Sequence, residues 1–286
     1  MPVDSAAVRR PGRMLRCMQA GVAGCALLVA TGCWNFSVSH RQTAAKPALP
    51  PLVQPKDALT LEVFFIPRAA GDSLLGESLW RQLDETAIKR PELRSRLRAA
   101  GLRVGLAGSN VPPALRAAAT EVHTGQQARG AQRLSLLAGQ ETNIEVASIP
   151  EAFQLRTIGA KGESLQSYAG GRCIMKVSGE RQQDGWVRLH FQPELHHGAV
   201  TIQPMAGDSD WKLQQGQTID HLWEQKFDVE INMGELVVIG AAPDIDEDLV
   251  GARFFRTGAP PSASECVLVI RVADVQQIEP VRTDHW

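Results

Sequence analysis

The chain lacks the short motifs by which most enzyme classes announce themselves. It holds no Gly-x-Ser-x-Gly, no Ser-x-x-Lys box with its partner motifs and no His-Glu-x-x-His. Serine nucleophiles on a strained elbow and paired imidazoles on one helix face are therefore not indicated. Neither Gly-x-Gly-x-x-Gly nor Gly-Lys-Ser/Thr is present, so the Gly105 to Asn110 stretch between a strand and a helix is not a recognisable phosphate cradle. A long apolar run is missing too. The longest candidate, Ala20 to Ala30, is about half of the ~20 residues that cross a bilayer as a helix.

Charge of one sign is also lacking. The formal net charge is -1, and removing residues 1–32, with Arg9, Arg10, Arg13 and Arg16 against Asp4, leaves a mildly acidic body. A surface without basic excess cannot replace phosphate counterions, which argues against nucleic acid as a partner. The four arginines of Arg90 to Arg98 alternate with Leu and Ala on a helical pattern and read as a solvated face. Cysteine is sparse, at five. Cys17 and Cys25 fall in the N-terminal segment, and Cys173 and Cys266 have no metal-ligand spacing.

What is present begins with export. Residues 1–32 have a basic region to Arg16, an apolar region and small residues before Cys33, the three parts of a signal peptide. Leu27-Leu28-Val29-Ala30-Thr31-Gly32-Cys33 resembles a bacterial lipobox, with Ala30 where Leu is usual. By that resemblance Cys33 is the lipidation site, and the chain would be anchored to a membrane on its extracytoplasmic side. Trp34 rather than Asp follows, which favours the outer membrane over the inner. An ordinary cleaved signal, releasing a secreted soluble binding module, is the alternative. An exported compartment permits a disulfide between Cys173 and Cys266, although both sit in strand-like runs where a buried thiol is also at home.

Residues 33–57 carry Pro47, Pro50, Pro51 and Pro55 and read as an extended tether. Residues 58–119 then predict a small β-α-α-β-α module. Leu59 to Ile66 is a strand, Leu75, Leu79, Leu83 and Ile88 recur at helical spacing, Pro91 opens a second helix that Gly101 stops, Leu102 to Leu106 is a strand, and Pro112-Pro113 starts a third helix. Residues 120–140, rich in Gln, Ala, Gly and Arg, read as a linker. Residues 141–275 hold ten short strand candidates separated by turn residues, and 276–286 form a tail. The fold class expected is α+β, with a β-rich antiparallel C-terminal module.

Two clusters invite chemistry. His190, Glu194, His196 and His197 could serve a metal-assisted hydrolase, but adjacent histidines on a strand point to opposite faces, and a surface turn at His196-His197-Gly198 is the simpler expectation. Asp244, Asp246, Glu247 and Asp248 crowd one loop without the spacing of a calcium-binding hand. The expectation is no enzyme, no metal and no cofactor.

The C-terminal module resembles the secretin family. Gly234-Glu235-Leu236-Val237-Val238-Ile239-Gly240 is similar to that family's strand before a Gly-Gly turn, with Ala241 in place of the second Gly. Gly251-Ala252-Arg253-Phe254-Phe255 resembles its loop, and Glu265-Cys266-Val267-Leu268-Val269-Ile270 its final strand. The resemblance implies a non-enzymatic component of an envelope complex, with a protein partner or self-association. It would make Asp244, Asp246, Glu247, Asp248, Phe254 and Phe255 a partner-facing loop.

Overall fold

The computed structural model describes residues 56–69, 76–123, 131–160, 162–206, 211–258 and 264–278. The expected signal peptide, Cys33, most of the tether and most of the C-terminal tail lie outside the described residues. In chain order the elements are β1 (Lys56–Ala69), α1 (Glu77–Trp80), α2 (Pro91–Ala99), β2 (Leu102–Ala107), α3 (Pro113–His123), β3 (Gln132–Leu137), β4 (Glu141–Ile149), β5 (Phe153–Gly159) and β6 (Gly162–Tyr168). They continue with β7 (Gly171–Arg181), β8 (Val187–Ala206), β9 (Trp211–His221), β10 (Phe227–Ile231), β11 (Leu236–Ala241), α4 (Val250–Phe255), β12 (Arg256–Thr257) and β13 (Ser264–Ile278). The structure is β-rich and its strand ladders are antiparallel, as the sequence implied for the C-terminal part.

One sheet runs β2-β11-β13-β1-β3, with β12 also on β13. The second runs β10-β8-β7-β4, with β9 also on β8, and β5–β6 is a separate hairpin. The first sheet joins strands from the two ends of the chain. β1 pairs with β13 from Lys56↔Ile278 to Ala69↔Ser264, and β2 pairs with β11. Segments 58–119 and 141–275 therefore share one sheet, and all the described residues fall in one compact unit.

β1 shows why this sheet is central. Leu59, Leu61, Val63 and Phe65 join the main core toward the second sheet, while Phe64 and Ile66 join a smaller core with Leu79, Trp80, Leu83 and Leu115. A strand covered on both faces loses the apolar-polar alternation, which accounts for the unbroken Val63-Phe64-Phe65-Ile66. β11 and β13 divide in the same way: Val237, Ile239, Leu268 and Ile270 face one core, and Val238, Val267 and Val269 the other. The second sheet turns one apolar face to the main core. Its β8 residues Val187, Leu189 and Phe191 pair with Ile231, Val229 and Phe227 of β10, with Phe191 and Phe227 stacked at 4.8 Å.

Several expectations need correction. Residues 132–137, assigned to a linker, form β3 on the edge of the first sheet, paired to β1 from Ala58↔Leu137 to Val63↔Gln132. Leu134 and Leu136 alternate there, but their polar neighbours hide the pattern. Leu75 lies outside the described residues, and the helical spacing of Leu79, Leu83 and Ile88 yields only the short α1. A 3-10 turn at Glu85–Ala87 follows, capped by Asp84 Oδ1 accepting from Thr86 N at 2.8 Å. His196-His197 is no surface turn: both lie in β8, which runs through to Ala206.

The ends of the sandwich differ. Asp57, at the start of β1, lies 3.6 Å from Arg181 at the end of β7, and Lys56 pairs with Ile278. The chain therefore enters, and β13 finishes, at the same end. At the opposite end Gly171 pairs with His197, and Cys173 Sγ reaches the Arg253 carbonyl of α4. β8 continues nine residues past His197 with β9 as its only partner among the described residues. At roughly 3.3 Å per residue this two-stranded arm extends ~30 Å.

Candidate functional site

Of the sequence-nominated residues, Glu194 and His196 are brought together and His190 is not. On β8, positions 190, 192, 194 and 196 share the face turned away from the core. Glu194 is fully buried there. Its Oε1 takes Lys176 Nζ at 2.7 Å and meets His221 Nδ1 at 2.8 Å, and its Oε2 meets His196 Nε2 at 2.9 Å. His190 instead lies 2.6 Å from Asp228. Burial alone would raise the Glu194 carboxyl, but the hydrogen bonds from His196, Lys176 and His221 and the Lys176 charge hold it below the usual carboxylate range. Both carboxylate oxygens are thus occupied by protein donors. Among the described residues no group of three His, Cys, Asp or Glu side chains is arranged to hold a metal ion.

Sequence reasoning missed Lys176 and His221. They reach Glu194 only through the β7–β8 and β8–β9 ladders, at Lys176↔Gln192 and His221↔Glu194. No local spacing signals a contact across 27 residues.

The acidic loop is tied down rather than free. Arg156 Nη2 lies 2.8 Å from Asp246 Oδ2 and 2.6 Å from Asp248 Oδ1, with Nε 3.0 Å from Asp248 Oδ2. Hydrogen bonds from Arg156 lower Asp248. Asp244 takes the left-handed backbone at φ 48° that closes the turn. Phe254 and Phe255 are 0% and 1% exposed, so they belong to the core and not to a partner-facing loop. The loop borders an open groove of about 550 Å³ with Phe153, Tyr168, Glu247 and Arg253. Arg253 stands over the Phe153 ring at 5.5 Å and donates Nε to the Gln154 carbonyl at 3.1 Å. Of the two cysteines proposed to pair, Cys173 lies beneath α4 with its Sγ 3.5 Å from the Arg253 carbonyl, and Cys266 lies on β13 opposite Pro67.

The third feature is the arm and its base. Ile202 is 64% exposed, Ile219 41% and Trp223 64%. By register Ile202 opposes Gln215 and Ile219 opposes His196, so both isoleucines share the face that carries Glu194. Among the described residues β9 pairs with β8 alone, leaving its outer edge open. An unpaired strand edge presents backbone N–H and C=O groups that can pair with another strand.

Sheet on sheet, with helices closing one outer face and one end, defines a β-sandwich with a projecting hairpin. No family model matches the chain, and no curated protein matches it. Among solved structures, the Klebsiella pneumoniae type II secretion system outer membrane complex of PulD, PulS and the PulC HR domain is similar at 12% identity and a TM-score of 0.20. That likeness covers 80% of this chain and 41% of the other, and is too slight to establish a shared fold. No helix among the described residues is long and apolar enough to cross a membrane.

Proposed function

We propose that this protein is a lipid-anchored, extracytoplasmic component of a bacterial envelope assembly, acting by binding and not by catalysis. The observation that carries the reading is the polarity of the body. The chain enters beside Asp57 and Arg181, and the open-edged β8–β9 arm leaves from the far end. An open strand edge of that kind pairs with a strand of another chain, which is how an assembly component would engage its partner. Supporting this, the buried carboxylate that looked most like chemistry is closed by Lys176. The lipobox-like Leu27 to Cys33 and the secretin-like strand order supply the compartment and the kind of assembly. The β-α-α-β-α order of 58–119, built into the same body, would serve as scaffold for the arm rather than as a separate docking module.

The test is membrane fractionation and intact mass of the wild type and Cys33→Ser, with crosslinking of whole cells. A diacylated Cys33, membrane recovery lost in Cys33→Ser and crosslinked species of higher mass are expected. An unmodified, freely soluble chain would overturn the anchor and favour the secreted binding module. Stoichiometric metal with hydrolytic activity abolished by His196→Ala would replace the reading with the hydrolase.

A further inference from the structure

β9 is eleven residues long, Trp211–His221, and its sixth residue is Gly216. Its inner edge is satisfied by β8 along the arm, while its outer edge has no strand partner among the described residues. A two-stranded ribbon is marginal alone in water, and a third and fourth strand would stabilise it. What such a strand would accept can be asked of its own sequence, Trp-Lys-Leu-Gln-Gln-Gly-Gln-Thr-Ile-Asp-His.

We infer that β9 docks against β9 of a second copy of this chain, antiparallel about a two-fold axis through Gly216. An axis perpendicular to the sheet keeps each residue's face, so position i meets position 432 minus i of the other copy, by strand geometry. In this register Lys212 opposes Asp220, Leu213 opposes Ile219, Gln214 opposes Thr218, Gln215 opposes Gln217 and Trp211 opposes His221, each pair occurring twice. Charge meets opposite charge, apolar meets apolar, and the strands overlap along their whole length. Moving the axis to residue 215 sets Lys212 against Thr218, and moving it to 217 sets Ile219 against Gln215. Both shifts lose the charge pairs, and cross-strand pairs set register.

The surroundings admit this partner. Ile219 is 41% exposed and Asp220 keeps more than a third of its side chain open, its other contacts being the Tyr168 hydroxyl at 2.8 Å and His197 Nε2 at 3.2 Å. A Cβ at Gly216 would meet nothing within 4 Å. The product is one continuous β8-β9-β9-β8 sheet bridging two sandwiches. The dimer goes beyond the envelope reading, since it would stand whether or not the chain is lipidated.

The absence of obstruction at Gly216 makes it the test position. Full-length chain purified in detergent should sediment as a dimer, and Gly216→Cys should give a disulfide-linked pair on mild oxidation that reduction reverses. Glu163→Cys, on the exposed strand β6, should not. Lys212→Asp should weaken the dimer about tenfold, the scale of a charge pair turned repulsive, and Lys212→Asp with Asp220→Lys should restore it. A monomer at all concentrations, equal crosslinking of Glu163→Cys, or a dimer indifferent to Lys212→Asp would each overturn the inference.

Discussion

Gly251, at the start of α4, lies against the backbone of Gly101, which closes the turn between α2 and β2. A Cβ at 251 would stand 1.7 Å from the Gly101 carbonyl oxygen. Gly251 N also donates to the Ala100 carbonyl at 2.9 Å. Gly101 itself holds φ 78°, a backbone that other residues adopt at a cost. Two segments 150 residues apart thus meet backbone to backbone, which carries Phe254 and Phe255 into the core. The obstacle is main chain and cannot rotate away. Gly251→Ala is expected to destabilise by roughly 3 kcal/mol or more, seen as a lower midpoint in urea. An unchanged midpoint would mean that α4 sits elsewhere.

Trp80 fills a slot cut by two other glycines. Built Cβ atoms would lie 3.4 Å from its ring at Gly105 and 3.2 Å at Gly240, on the paired strands β2 and β11, and at Gly105 also 2.8 Å from Leu83 Cβ. Arg103 caps the ring at 4.8 Å. Trp80→Ala should cost roughly 3–5 kcal/mol through the cavity left behind. Gly105→Val should cost about 1–3 kcal/mol by overpacking. Chemical denaturation of both variants checks this, and the larger loss should belong to Trp80→Ala.

How much of this was legible in the sequence depends on the range of the interaction. The strand from Val187 to Gln192 shows in its alternation, and the doubly buried strand at Val63 to Ile66 in its unbroken run, because burial on one face or two is written locally. β3 was not legible: Leu134 and Leu136 are its only two core-facing apolar positions, and it is pairing with β1 that makes them a strand. The 254–255 pair looked like an exposed loop because Asp, Gly and Pro surround it. Its burial depends on the distant Gly101 contact. His221 and Lys176 likewise join Glu194 only once register is fixed. The Glu194 cluster was half visible in the sequence, and its closure by a lysine was not.

That cluster fixes an acid limb of stability. The folded Glu194 carboxyl is lowered relative to its unfolded value, so the group binds fewer protons folded than unfolded. Its contribution is full above the unfolded pKa of about 4.3 and is lost as pH falls through the lower folded value. Lys176→Met removes the principal countercharge and leaves the carboxylate buried, at a cost of roughly 2–4 kcal/mol near neutral pH. The variant's deficit should shrink on acidification, because protonation relieves the unpaired charge. Urea midpoints between pH 3 and pH 7 measure it, and a deficit that stays constant would show that Lys176 does not hold Glu194.

Cys173 tests the core from within. Burial pushes its thiol up to about 12, and it is wholly enclosed beneath α4. At pH 8 the thiolate fraction is then about one in ten thousand, against roughly a quarter for an unperturbed thiol near 8.5. Since the thiolate is the nucleophile, native Cys173 should resist iodoacetamide while the urea-unfolded chain reacts readily. Cys266, partly exposed on β13, should label before it. Mass spectrometry after timed alkylation separates the two sites. Prompt labelling of Cys173 would mean that α4 opens from the sandwich in the native state, and failure of both sites to label until reduction would show that they are joined in a disulfide.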